Sequence, residues 1–584
     1  MTARYIIGID LGTTNSVVAY APMDASAPIA VLPLPQLIAP GSVEARPLLP
    51  SFLYLPAAGE LPEAATRLPW GGPNDAVAGT WAQRRSSEVP DRVIGSAKSW
   101  LSHAAAEREQ PILPWGAPDG VPKRSPVDAS SAYLAHLAAA WNAAFPKDPI
   151  GKQEVLLTVP ASFDPAAREL TVRAAAAAGL RAVTLLEEPQ AALYAWIDTA
   201  GEDWRRHVAV GDLLLVCDLG GGTSDFSLIA VRDDGGSLVL ERLAVGEHIL
   251  LGGDNMDLAL AYRVRERLAG AGTTLDAWQL RGLVASCREA KERLLGAAGE
   301  PNMPVAILGR GRKVVGGALR ADVQRSDAIE SLVEGFFPPC QLSDRPQAPR
   351  RAGLQELGLP YAADAAVTKH LAQFLHRNAE AGTPTAVLFN GGVMRADALR
   401  ARLVEVLGEW FPAGVRTLSG ADPEHAVARG AAYYGLARHG RGVRIRGGVG
   451  RAFYVGIESA MPAVPGMRPP IKALCVVPHG LEEGSAVELP TQELGLVVGE
   501  PTEFRFLSST TRREDHPGMI LDTWSDDDLS ELPALHTTLE WRGHEGATVP
   551  IHLEARVNEL GVLELWCVSR DDAQRWKLEF NVRA

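Results

Sequence analysis

The sequence predicts an α/β domain made of two related halves, followed by an all-β sandwich. Three observations carry that prediction. Leu213 to Cys217 is an apolar run with the length and composition of a buried strand, and it ends in Asp218 ahead of Gly220, Gly221 and Gly222. Tyr5 to Ile9 is a second such strand, followed by Asp10, Leu11, Gly12, Thr13, Thr14, Asn15 and Ser16. From Gly440 onward the pattern changes to short strands of alternating polarity.

The chemistry of the two turns follows from their residues. Glycines let the backbone bend tightly and bring bare N–H groups against an anion. Asp218 beside such a turn suits the water shell of Mg²⁺, and Thr223 and Asp225 add a hydroxyl and a second carboxylate. One glycine-rich turn alone reads equally well as a bend between two core strands. The second copy changes the balance, because D-L-G-T-T-N-S and D-L-G-G-G-T-S share one plan. Two such turns point to duplicated halves facing each other across a nucleotide.

G-I-D-L-G-T-T-N-S, together with the second turn, resembles the 70 kDa heat-shock chaperones (DnaK-type), within the actin and sugar-kinase superfamily of ATPases. The resemblance implies a two-lobed, actin-like ATPase domain over residues 1–438, binding ATP or ADP with Mg²⁺. Gly12, Thr13, Thr14, Asn15, Gly220, Gly221, Gly222 and Thr223 would surround the phosphates. Asp10 and Asp218 would hold Mg²⁺ through water, while Lys98 and Glu188 position an attacking water.

Composition excludes several alternatives. Hydrophobic content of 46% and 22% charged residues describe an ordinary globular chain, which at 584 residues should hold several domains. A formal charge of −13 argues against nucleic acid or an anionic membrane as main partner. No apolar run approaches a membrane span, and the N-terminus carries no signal pattern. Cys217, Cys287, Cys340, Cys475 and Cys567 are odd in number and lack C-x-x-C spacing, so they read as reduced, buried thiols of a cytoplasmic protein.

Along the chain, Ala21 to Pro90 reads as strands and loops of a peripheral subdomain. In Arg92 to Leu101 the resemblance places Lys98 near the γ-phosphate, although a lone lysine is normally solvated. Ser102 to Ser125 matches nothing in the family. Glu154 to Pro160 reads as a strand, followed by a helix capped by Ser162 or Asp164, with Pro165 at its first position and Gly179 at its end. Thr184 to Leu186 leads into Glu187, Glu188 and Pro189. This stretch is similar to the family's V-P-A-x-F and N-E-P segments, with Glu188 and Pro160 in the places of its glutamate and switch proline. Glu188 also suits a helix start through the helix dipole.

Leu251 to Asp257 resembles the family's phosphate-contacting L-G-G-E-D-F-D turn, which assigns Gly252, Gly253 and Asp254 to the nucleotide. A helix from Arg281 to Leu295 follows, with Leu283, Val284, Cys287 and Leu294 on one face. Lys291 matches a lysine near ribose and adenine, whereas Arg288 stands where the family has a glutamate, so the ribose contact is expected to be weak. Val387 to Arg395 is similar to V-G-G-S-T-R, putting Gly391 and Gly392 under phosphate and ribose and Arg395 against adenine. Asp422 to Ala432, with Glu424 in the nucleotide set, closes the domain. Gly335 to Tyr361 is specific to a subgroup.

Residues 439–452 read as a basic, glycine-rich linker without the family's acidic, leucine-rich coupling segment. Residues 453–584 read as a sandwich with one buried face per sheet. Phe504 and Phe506 lie on one face, as do Ile551, Leu553, Ala555 and Val557, and Trp576, Leu578, Phe580 and Val582. Asn558 to Phe580 resembles the final hairpin of the family's substrate-binding sandwich. With Ala584 two residues past the last strand, which reaches Val582, no helical lid is expected. Thr184 stands where the family has an arginine that engages J-domain partners, which argues against such a partner.

The leading expectation is therefore an ATP-dependent chaperone that hydrolyses Mg-ATP slowly and binds unfolded or extended polypeptide, with a nucleotide-exchange factor as a further partner. Two alternatives stay open. One is a nucleotide-dependent switch binding a single dedicated partner, and the other a small-molecule kinase of the same superfamily.

Overall fold

The computed structural model describes residues 3–24, 27–71, 75–103, 106–234, 237–247, 249–296, 299–307, 319–348, 358–420, 422–443, 445–446, 451–459, 470–479, 481, 485–487, 489, 494–509, 512, 514–525, 528–540, 546–557, 562–570 and 574–581. The chain falls into two compact units, Met1–Arg444 and Ile445–Ala584. The first is mixed α/β and the second is built from β-strands.

Two mixed sheets organise the first unit. In one, the strand order is Val183–Glu187, Glu154–Val159, Tyr5–Leu11, Asn15–Pro22 and Ala30–Val31. In the other, Arg416–Leu418, Ala386–Asn390, Leu213–Leu219, Ser224–Asp234 and Ser237–Val245 are neighbours. Each central strand has a parallel neighbour on one side and an antiparallel hairpin partner on the other. Every residue of Leu213–Leu219 is buried, as its unbroken apolar run requires. The register sets Asp10 opposite Thr158 and Asp218 opposite Asn390.

The helices follow their capping signals. Asp164 accepts from the Ala167 amide at 2.6 Å and opens helix Pro165–Ala177, so the cap is Asp164; Ser162 instead donates to Asp225 at 2.7 Å. Gly179 takes φ +89° just beyond the helix. The helix expected from Arg281 starts four residues earlier, at Ala277, because Asp276 and Gln279 form a reciprocal cap. Leu283, Cys287 and Leu294 are buried along it.

Two further differences concern the periphery. Ala21 to Pro90 contains short strands as expected, but also helix Thr80–Glu88, whose polar composition hid it. Helix Pro126–Ala144 has no counterpart in the sequence reading. Its alanine-rich sequence has no clean polar face, yet Ser125 and Asp128 cap each other and Pro126 sits at its first position. Trp141 on this helix is fully buried, with its ring edge-on to Tyr5 and Tyr20 at 5.4 and 5.3 Å. These contacts pin the helix to the sheet that ends in Asp10.

His136 on the same helix is buried and donates from Nε2 to the Pro35 carbonyl at 2.9 Å. Burial pushes its pKa down to about 4, against the weaker opposing effect of the Pro35 bond. The unfolded chain takes up this proton below about pH 6.5, while the folded chain resists until about 4. The stability contribution is thus present above pH 6.5 and is lost as pH falls through that window, by up to about 3 kcal/mol. Denaturant melts between pH 7 and 4 should show this slope in the parent and lose it in His136→Gln; an equal slope in both would remove His136 as its source.

In the second unit, one sheet runs Ile520–Leu521, Ile471–Val477, Ala452–Glu458, Pro501–Ser509, Ser530–Thr538. The other runs Ala486–Val487, Ala547–Val557, Val562–Ser569, Arg575–Asn581, with Leu494–Val498 also on Ala547–Val557. Phe453, Val455, Leu474 and Phe506 share a core with Ile551, Leu553, Ala555, Val557, Trp576 and Leu578. Phe504 packs on that core half-buried, beside a register shift. The side chain of Phe580, and Val582 altogether, lie outside the described residues.

The expectation of one buried face per sheet is corrected. Tyr454, Ala473, Cys475 and Leu507 are buried on the opposite face of the first sheet, with Leu521 and Leu529. Tyr454 donates to Asp515 at 2.7 Å, and Arg512 donates to the same carboxylate oxygen at 2.6 Å. That anchor holds the connecting segment over the sheet, so its outer face is core and not solvent. All five cysteines are free and buried, and among the described residues no helix is long and apolar enough to cross a membrane. Of Gly335 to Tyr361, residues 349–357 lie outside the described residues.

Candidate functional site

The two Asp–turn motifs meet. A Cβ on Gly221 would lie 1.8 Å from the Thr14 hydroxyl oxygen, so only glycine lets the second turn approach the first this closely. Gly222 lies against Thr13 and Ser99. Each turn is braced from behind. Ser51 donates its hydroxyl to the Gly12 carbonyl at 2.7 Å and its amide to the Thr14 carbonyl at 2.8 Å. The amides of Gly253 and Asp254 donate to the carbonyls of Gly220 and Gly221 at 3.1 and 2.7 Å, which binds the second turn to the start of helix Gly253–Gly270.

Around this junction lies a cleft of about 520 Å³. Asp10, Gly12, Thr13, Thr14, Asn15, Lys98, Glu188, Asp218, Gly220, Gly221 and Thr223 line it, with Gly253, Asp254, Arg288, Lys291, Gly391, Gly392, Arg395 and Glu424. Of the residues singled out from sequence for the nucleotide, Gly222, Asp225 and Gly252 are not on the lining, and Asp225 accepts from Ser162 instead. Gly252 stands behind it, against the Gly220 and Gly221 carbonyls.

Lys98 lies on the cleft lining. It comes from the short helix Ala97–Leu101 and is buried, ion-paired with Glu188 at the first position of helix Glu188–Ala200. Asp10 accepts from Thr158 Oγ1 at 3.3 Å, and Asp218 from Asn390 Nδ2 at 2.9 Å. Burial raises the pKa of Glu188 to about 8, opposed by Lys98 and reinforced by Asp10 and Asp218. Burial likewise raises Asp218 to about 7, against the Asn390 bond. Asp10 is raised by burial, opposed by Lys98 and Thr158. Burial would lower Lys98, but Glu188 and Asp10 outweigh it and hold the ammonium charged.

This charge set fits a divalent cation and phosphate. When ionised, three carboxylates (Asp10, Glu188, Asp218) against one ammonium leave two negative charges, which one divalent ion balances. No group of three or more His, Cys, Asp or Glu side chains able to ligate an ion together occurs among the described residues. Asp10 and Asp218, at the cleft, would suit a hydrated ion, the form Mg²⁺ prefers.

At the other end of the cleft the cations are already paired. Arg288 bonds Asp254 at 2.5 Å and Asp257 at 2.7 Å, and Lys291 meets Asp257 at 2.6 Å and the Gly253 carbonyl at 2.9 Å. Asp257 is wholly buried. Arg395, in the turn Gly392–Arg395, is exposed and ion-paired with Glu424. Ser96, in a left-handed conformation at φ 53°, donates to Asp254.

Sequence reasoning missed several participants. Thr158 and Asn390 hold the two aspartates, and Asp257 anchors Arg288 and Lys291 of helix Ala277–Leu295. The signal was present for Asn390, an amide immediately ahead of two glycines, but its partner lies on a strand far away in sequence. For Thr158 no local signal existed.

The fold defines a class first: a mixed α/β unit with several sheets and a β-rich C-terminal region. The Hsp70 protein family matches residues 118–342, and that domain implies the actin-like ATPase fold. Among curated relatives, the chaperone protein HscA homolog of Cupriavidus pinatubonensis is 30% identical over 440 residues. The homolog of Pseudomonas fluorescens is 31% identical over 431 residues, and the chaperone protein HscA of an Enterobacter species 30% over 441. Each match covers 74% of this chain and 57% of the relative, so the chain spans little more than half the length of these proteins. The chain belongs to the Hsp70 family.

Proposed function

We propose that this chain is an ATP-dependent chaperone of the Hsp70 type, acting in the cytoplasm on unfolded or extended polypeptide. Residues 1–438 are its two-lobed ATPase domain, 439–452 its linker and 453–584 its substrate-binding sandwich. The observation that carries the reading is the meeting of the two Asp–turn motifs at one cleft, with Lys98 and Glu188 beside them. Relatives named as HscA chaperones support the same reading.

Phosphoryl transfer needs placement and charge neutralisation more than covalent chemistry. The amides of the two turns cradle phosphate oxygens, and Thr223 contacts the γ-phosphate. Asp10 and Asp218 would hold the water shell of Mg²⁺, which would supply neutralisation of phosphate charge. Lys98 places its ammonium toward the transferred group, where charge develops. Glu188, held by its ion pair with Lys98, orients the attacking water. Hydrolysis is slow, so bound nucleotide times the hold on polypeptide, and a nucleotide-exchange factor resets it.

The base is held by Arg395 and Lys291, and the ribose only weakly, because Arg288 stands where the family has a glutamate. Titrations should therefore give ATP, 2′-deoxy-ATP and 3′-deoxy-ATP affinities within about tenfold, or 1.4 kcal/mol. A larger loss for either analogue would reveal a strong ribose contact and overturn this part of the reading. Absence of ATP binding would overturn the whole.

A further inference from the structure

We infer that Asn390 is a positioning residue for cation binding: its amide fixes one oxygen of Asp218 so that the other stays available to the water shell of a divalent ion. The inference rests on the reading of the cleft as a Mg-nucleotide site. It begins with strand register. Asp10 stands opposite Thr158 on the neighbouring parallel strand, and Asp218 stands opposite Asn390 on its own parallel neighbour. Each carboxylate accepts a hydrogen bond from the residue facing it, at 3.3 Å from Thr158 Oγ1 and 2.9 Å from Asn390 Nδ2.

Both donors are neutral, and that is the chemical point. A lysine or arginine in either position would orient the carboxylate but cancel the charge a cation needs. A hydroxyl or amide orients it and leaves the charge in place. Asn390 and Asp218 are both buried, so their bond is shielded from competing water. The chain next to Asn390 adds a second feature. Gly391 takes φ +86°, and a Cβ there would lie 2.7 Å from Asp218 Oδ1. Asn390 thus engages Oδ2 while the bare glycine leaves Oδ1 uncovered. Partners that orient a cation's ligands typically change metal affinity by about 10–100-fold when removed.

The test compares Asn390→Val and Asn390→Ala, which delete the donor, with Asn390→Thr, which supplies a hydroxyl donor as Thr158 does for Asp10. ADP binding is followed by calorimetry across a Mg²⁺ series and in EDTA, with thermal melts of each ligand-free protein. The deletions should raise the Mg²⁺ needed for half-maximal tight binding about tenfold or more, while binding in EDTA and the melting temperatures stay near the parent's. Asn390→Thr should recover to within about threefold. A Mg²⁺ requirement within about twofold of the parent in both deletions, or a threonine variant no better than valine, would overturn the role of Asn390. If the parent itself binds ADP equally well in Mg²⁺ and EDTA, the Mg-nucleotide reading fails instead, and the inference falls with it.

Discussion

Replacing Lys98 with alanine is expected to slow ATP turnover by about a hundredfold or more, with nucleotide affinity nearly unchanged. The lysine lies beside Glu188 and within the field of Asp10 and Asp218, buried in the cleft wall. A fixed charge there costs no reorganisation when charge develops on the transferred phosphoryl group, so its loss falls on the transition state more than on binding. The alternative role for a buried lysine is to neutralise carboxylates for folding. The two roles separate cleanly: a structural lysine, once removed, lowers the melting temperature and the affinity together with the rate. Single-turnover rates beside calorimetric affinities decide between them, and turnover equal to the parent's would remove Lys98 from the site.

The second large effect is on stability. Glu187 is 1% exposed and accepts from two buried arginines, Arg168 at 3.2 Å and Arg242 at 2.6 Å. Arg168 also donates to the carbonyls of Phe163 and Ala161, next to Pro160 on the cleft wall. Truncating Glu187 removes the carboxylate that two guanidinium groups share, and removal of one partner from a buried ion pair typically costs about 3–5 kcal/mol. Glu187→Ala should therefore lower the unfolding transition of the first unit by that amount. Glu187→Gln, which keeps acceptors but not the charge, should fall between the two. A loss below about 1 kcal/mol for the alanine variant would show that Arg168 and Arg242 find other partners. Because Glu188 follows Glu187 directly, such a variant should also disturb turnover.

The sequence was most legible where one residue type has one physical use. Apolar runs closed by Asp and glycine marked both central strands, and Asp164 with Pro165 marked a helix start. The cleft was legible for the same reason, since glycines that must approach another backbone leave no side chain to mistake. What remained hidden depended on contacts distant in sequence. Helix Pro126–Ala144 shows no clean amphipathic stripe because its alanines pack on several sides. Asn390 and Asp257 read as ordinary polar residues until the register and helix packing bring Asp218, Arg288 and Lys291 to them. In the sandwich, alternation predicted the inner-face positions Phe504, Phe506, Ile551, Leu553, Ala555, Val557, Trp576 and Leu578. The buried outer face was invisible, because the segment that covers it is held by Asp515 through Tyr454 and Arg512, not by any strand pattern.

The most direct test of the ATPase reading is γ-phosphate release under single-turnover conditions, with the full chain in excess over radiolabelled ATP in Mg²⁺. Slow release approaching one phosphate per bound nucleotide, abolished by EDTA and strongly reduced in Lys98→Ala, is the predicted result. Transfer of the label to a small-molecule acceptor, or no bound nucleotide at millimolar ATP, would contradict it.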